Sequence, residues 1–254
     1  MKAFWSTVLI GFILVILMGF CRQPTLPLAI WAWERPERVS FLPTSTPIAY
    51  LAQTIYLNGE QLNTHLRQQP LIPPRKALLT AVIRIETHQP SLSASQVTQL
   101  SQQIVTFAKQ RADEEIQIDF DARLNERPFY RTLLNLLHQN LPSQTRLSMT
   151  ALASWCLYDH WLDGLPVAEA VPMVFRMGTD TDKVAEYLKT GQDFQSPLCR
   201  HSVGISLDEP IRNQIFHAAR PGGTMAGRMI YVFNPHPWTI ATWQQLEQEA
   251  HDAQ

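Results

Sequence analysis

Eight short apolar runs bounded by polar or turn residues punctuate the chain, at 27–34, 47–57, 76–86, 116–122, 146–155, 170–177, 202–209 and 228–234. That is the pattern of strands. Between several of them the period lengthens to that of a helix. Over 93–111 it puts Val97, Leu100, Ile104, Val105 and Phe107 on one side, and over 128–140 it does the same for Phe129, Leu133, Leu134 and Leu137. Segments 182–189, 210–219 and 239–250 read as helices too. Strands alternating with helices imply right-handed crossovers and a parallel sheet. Eight of them predict a compact (β/α)8 barrel of the TIM type, with two opening connections poor in helix. The alternative is an open doubly wound sheet. The glycine loop that usually follows its first strand is missing, because WAWERPERV stands at 31–39.

The most informative stretch is EEIQIDFDAR, 114–123. Side chains of a strand alternate between faces, so Ile116, Ile118 and Phe120 point one way and Gln117, Asp119 and Asp121 the other. In a barrel the first set packs outward on helices and the second faces the axis. Carboxylates on an inward face are desolvated and repel one another, which raises the pKa of one and suits general acid chemistry.

Composition narrows the classes. The chain has 254 residues, 45% hydrophobic and 17% charged, with a formal net charge of −1, enough for one large domain. Its Lys and Arg residues are scattered, which excludes nucleic acid as a partner. The first residues differ in kind, since one Lys precedes 18 uncharged, mostly apolar residues from Ala3 to Phe20. That run lies between the core of a cleaved signal peptide and the roughly 20 residues of a membrane anchor. Residues 1–22 are therefore assigned to a signal peptide or anchor, with the anchor preferred, and 23–254 to a single barrel domain outside the cytoplasm. A lipoprotein role for Cys21 is disfavoured by the bulk of Phe20 before it. Cys156 and Cys199 remain, and an oxidising compartment permits their pairing. In a barrel Cys156 follows the fifth strand at the mouth, whereas Cys199 precedes the seventh at the opposite end. A bridge therefore requires SPLCRHS, 196–202, to climb over the barrel edge, and free thiols are the alternative.

The chemistry of a parallel barrel gathers at the C-terminal strand ends. Those ends carry Trp33 and Glu34, Arg84 and Glu86, Asp119 and Asp121, Ser154 and Trp155, Arg176, Asp208 and Glu209, and Asn234, His236 and Trp238. The strand starts are mostly apolar or Pro. Trp33, Trp155 and Trp238 together would wall a site for flat rings such as sugars. Each of these residues also has a purely structural role open to it: Arg84 and Arg176 in an ion network, Asp208 and Glu209 as caps on the helix after Pro210, the tryptophans in the core. Metal-site, phosphate-loop and nucleophile-elbow motifs are missing, so no cofactor and no metal are expected.

At IQIDFDAR, RLSMTALASWCL and AVPMVFRMG, the chain resembles a bacterial family designated domain of unknown function 3142, over about Trp31 to Trp238. That resemblance implies a barrel-like fold. More distantly, the fourth strand resembles that of family 18 chitinases, which ends in alternating acids with a catalytic Glu last. The resemblance places Asp121 at the Glu position, Asp119 at the acid before it, and Gln117 where a further acid would stand. Two departures are plain: Asp is one methylene shorter than Glu, and Gln117 does not ionise. The expectation is an exported or membrane-anchored glycoside-hydrolase-like barrel acting on an envelope carbohydrate. Asp121 is then the general acid, Asp119 its neighbour and Glu86 an assistant, with Glu34, Trp33, Arg84, Trp155, Arg176, Asp208, Asn234, His236 and Trp238 around the ligand. A non-catalytic glycan-binding or scaffold barrel is the alternative.

Overall fold

Each apolar run forms a strand, and the strands pair in parallel until the last meets the first. The computed structural model describes residues 26–253 apart from 112 and 114. In chain order the elements are β1 (Leu28–Ala32), β2 (Glu37–Arg38), β3 (Ile48–Gly59), β4 (Gln61–Leu66), β5 (Leu71–Ile72), β6 (Leu79–Pro90), α1 (Ala94–Lys109), β7 (Glu115–Asp119), α2 (Arg127–Asn140), β8 (Arg146–Leu152), α3 (Ala153–Tyr158), β9 (Ala170–Met173), α4 (Thr181–Lys189), β10 (Ser202–Ser206), α5 (Ile211–Ala219), β11 (Met229–Phe233) and α6 (Ile240–Asp252). Because β1 pairs in parallel with both β3 and β11, the sheet closes through β6, β7, β8, β9 and β10. This is a (β/α)8 barrel, and its closure excludes the open doubly wound sheet.

The first two connections carry no helix. Instead β3 runs past the barrel rim and turns through Gly59 into antiparallel β4, with Gly59 at φ 59°. Asn58 pairs with Gln61, so the two-residue loop is Gly59-Glu60, a glycine-first turn that the strand pattern alone overlooks. The small parallel pair β2–β5 ties the two connections together.

Two apolar layers follow from the strand alternation. Outside the barrel, Ile116, Ile118 and Phe120 of the β7 segment pack in one cluster with Val97, Leu100, Ile104 and Val105 of α1 and Phe129, Leu133, Leu134 and Leu137 of α2. Each such side chain contributes about 1.5–3 kcal/mol when fully buried. Inside lie Ala29, Trp31, Ala49, Leu51, Val82, Val171 and Tyr231. Trp31 occupies the axis, stacked on Tyr231 at 5.2 Å between ring centroids, and its Nε1–H donates to Gln117 Oε1 at 3.0 Å. Space for the ring comes from Gly204 on β10, where a Cβ would lie 2.5 Å from Trp31 Cη2. At the opposite end Arg146 bridges Glu115 at 3.1 Å and Glu169 at 3.3 Å, and Ser148 and Ser202 donate to the same two carboxylates. This network closes the barrel floor.

Cys156 and Cys199 form a disulfide with Cα atoms 5.9 Å apart. Strand order alone puts them at opposite ends, but β9 has only four residues, about 13 Å of barrel wall at the usual rise. Both α3 and the 3-10 turn Pro197–Arg200 pack against that short strand, and the backbone N–H groups of Gln195 and Ser196 donate to Cys156 O. Residues 1–22 lie outside the described residues. Among the described helices none is long and apolar enough to cross a membrane.

Candidate functional site

The fourth barrel strand, β7, ends at Asp119, and the next inward position, Asp121, falls at the start of the loop that follows. Both line a cavity of about 280 Å3 at the C-terminal mouth, together with Trp31, Trp33, Arg84, Leu152, Met173, Phe175, Arg176 and Phe233. The strand alternation that sends Ile118 and Phe120 into the outer core sends these two acids to the axis. Asp119 sits deep, 7% exposed, and its Oδ1 accepts a hydrogen bond from Thr150 Oγ1 at 2.7 Å. Asp121 stands at the solvent-exposed lip.

Their electrostatics differ in degree. Loss of hydration, then the Asp121 charge, pushes the Asp119 carboxyl up to about 6, while Thr150 and Arg84 oppose the shift and Glu86 adds to it. Asp121 is raised as well. Although the residue is exposed, protein on several sides strips part of its hydration; Arg84 opposes this and Glu86 reinforces it. Arg84 is itself paired with Glu86 at 2.7 Å and lies over the Trp33 ring, 5.7 Å from its centroid. Glu86 is thus a half-exposed neighbour that acts on the two aspartates through charge.

An aromatic wall faces the acids. Phe175 and Phe233 are parallel at 5.8 Å, Trp33 meets Phe233 edge-on at 5.9 Å, and Trp31 forms the floor, 6.0 Å from Phe175. Among the expected tryptophans only Trp33 belongs to this wall. Trp155 is 4% exposed in the outer core, edge-on to Trp161, because the strand ends at Leu152 and α3 turns the chain outward. Trp238, also 4% exposed, donates its Nε1–H to Trp31 O and packs on Trp243 of α6. Trp31, Phe175 and Phe233 were legible only as apolar strand residues, and their inward parity was the available signal.

Other expected residues are placed around the rim. Arg176, at φ 54°, lines the cavity but is held by Asp208 at 2.9 Å and Glu209 at 2.6 Å. Glu209 also accepts the Arg176 backbone N–H, and no side chain caps α5, so the cap expected of these two acids is absent. Asp208, held below the usual carboxylate range mainly by Arg176, shares with Asn234 and His236 a neighbouring cavity of about 230 Å3. Asn234 is buried and its Oδ1 accepts the His236 backbone N–H. Glu34 points away and accepts the backbone N–H groups of Gln68 and Gln69. Gln117 is committed to Trp31 and reaches no ligand-accessible surface. Among the described residues no cluster of three His, Cys, Asp or Glu side chains could hold a metal.

A comparison with protein-family models finds no match, and neither does one with curated proteins. Two solved structures are similar in fold. The Bacillus cereus spore cortex-lytic enzyme SleL aligns at 16% identity and a TM-score of 0.47, over 72% of this chain and 51% of that one. The Bacillus megaterium QM B1551 spore cortex-lytic enzyme SleL aligns at 14% and 0.49, over 74% and 52%. The chain spans about half the length of these two proteins.

Proposed function

We propose that this chain is a glycoside-hydrolase-like barrel that works on a carbohydrate outside the cytoplasm, with Asp121 as general acid and Asp119 as the buried carboxylate beside it. One observation carries the assignment: two inward carboxylates on a single strand face meet an aromatic wall in a cavity at the C-terminal mouth. Asp121 is the reachable member and so the one able to protonate a glycosidic oxygen, and its raised pKa keeps a larger fraction protonated near neutral pH. Asp119 lies below it, where it stabilises positive charge developing on a sugar ring. Apolar C–H faces of the ring find partners in Phe175, Phe233 and the edge of Trp33. Export is supported by the disulfide, a bond that oxidising compartments sustain. Membership of the family designated domain of unknown function 3142, and a retained N-terminal anchor, belong to the same proposal.

A second function, glycan binding without turnover, is favoured by the size of the cavity. About 280 Å3 is just under the roughly 300–1,000 Å3 of most ligand sites, and Arg84 already covers one face of Trp33. The two are separated by a panel of envelope and storage glycans assayed for binding and for released reducing ends. Hydrolysis of any member supports the enzyme. Binding weakened by Trp33→Ala, with no product, supports the binding protein, and neither result contradicts both.

A further inference from the structure

The second connection of the barrel carries β4 and β5 in place of a helix, so no helix of its own covers the outer face of β3. A cavity of about 960 Å3 lies there, between that face, β4, the 71–73 turn and α1. The mouth cavity, at about 280 Å3, is less than a third of this size. Gln53 of β3 lines the flank cavity and is 2% exposed, and its Nε2 has no hydrogen-bond partner among the described residues. A buried amide left unpaired costs stability. The position asks for a partner from outside the chain.

The lining sets the class of that partner. Among the described residues it includes no carboxylate. Its two cations are both engaged. Arg67 donates to the carbonyls of Trp33, Arg35 and Gln69, and Arg111 pairs with Asp113 at 3.0 Å and donates to Tyr50 Oη at 2.7 Å. A charged ligand therefore finds no free opposite charge. Main-chain recognition is closed as well, because at Gln53 both edges of β3 are taken, by Leu66 of β4 and Ile83 of β6. What remains on offer is side-chain amide, from Gln53 and from Gln102 and Gln110, two exposed residues about two turns apart on α1. Phe107, Leu71 and Leu79 are their apolar neighbours in the lining. An amide both donates and accepts, which matches hydroxyls that do the same.

We propose that this flank cavity is a second ligand site, for a neutral oligosaccharide, in which the Gln53 amide takes hydroxyls and the apolar lining takes the C–H face of a ring. It shares no residue with the mouth. Its ligand class follows from its own lining, so the site stands whether or not the mouth hydrolyses. The volume is at the upper end of the roughly 300–1,000 Å3 of most ligand sites and admits more than one linked ring. Where the mouth acts on a polymer, a glycan held on the flank keeps it attached between encounters.

The test titrates chitotetraose, cellotetraose and maltotetraose, with tetragalacturonate and a blocked tetra-alanine peptide as charged and peptide controls. They are added to the full chain carrying Trp33→Ala, which weakens the mouth, and to the same protein with Gln53→Leu as well. The expected result is that at least one neutral tetrasaccharide binds, both controls bind more weakly, and Gln53→Leu raises Kd roughly 3- to 10-fold, the worth of a hydrogen bond. Without ligand, Gln53→Leu should melt no lower than its parent, because an apolar side chain of similar size replaces an unpaired buried amide. A lower melting temperature would make Gln53 a structural residue and overturn the site. Saccharide binding undiminished by Gln53→Leu would overturn it too, and would leave the carbohydrate function of the mouth standing. Tighter binding of the uronate or the peptide, or binding of none of the five, would also contradict it.

Discussion

Asp119 is a residue that the fold holds against its own ionisation. Its carboxyl stands at about 6 against an ordinary 3.8, so between those values the native state binds more protons than the unfolded chain. Stability therefore falls as pH rises through that window, and the whole cost, on the order of 1–3 kcal/mol, is present above it. Asp119→Asn keeps an oxygen for Thr150 and removes the charge. It should melt higher than the native protein at pH 7, with the difference shrinking toward pH 4; a difference independent of pH would contradict the assigned origin of the shift. At this scale the sequence was legible where parity was the only information needed. Alternation put Asp119 and Asp121 inward and Ile118 and Phe120 outward, and the structure does the same. It was not legible for Trp155 and Trp238, since a strand-end position does not reveal which way the chain leaves the strand. Nor did it single out Trp31, Phe175 and Phe233, which read as core.

At the level of elements, the apolar runs marked all eight barrel strands, and the helical periods marked five of the six helices. The exception is α3. ALASWCLY, 151–158, continues the apolar run of β8 without a polar break, so the point where strand becomes helix has no signal in hydrophobicity. The β3–β4 hairpin was missed for another reason: its loop, Gly59-Glu60, has glycine first, and QLNTHL, 61–66, is too polar to read as a buried strand. Packing between strands carries a prediction of its own. Trp31 of β1 fills the barrel axis only because β10 offers Gly204, where a Cβ would sit 2.5 and 2.7 Å from two ring carbons. The ring is held by Tyr231 and Gln117, and its free side is the mouth cavity. Gly204→Ala should therefore cost roughly 1–3 kcal/mol in chemical denaturation, and it should lift Trp31 into the mouth cavity. A variant of unchanged stability would show that the axis has slack.

For the whole molecule, closure of the ring and the disulfide act on different problems. Closure pairs every barrel strand on both sides, which leaves no barrel edge for another chain to join. The bridge ties the α3 flank to the start of β10 across 43 residues of sequence, and the entropy of a loop that long corresponds to about 4 kcal/mol in the chain-entropy description. Reduction, or Cys156→Ser with Cys199→Ser, should lower stability by about 2–4 kcal/mol while the barrel still folds. No loss would mean that α3 and the 197–200 turn are held by packing alone.

The most direct test of the proposed chemistry is the turnover number of Asp121→Asn on whichever glycan the native protein cleaves, with binding of the same glycan measured in parallel. The expected result is a fall of roughly 100- to 10,000-fold in kcat, the contribution of a positioned general acid, with the glycan still bound and the fold intact. An unchanged kcat would remove Asp121 from the chemistry, and with it the assignment of this mouth as a glycosidase site.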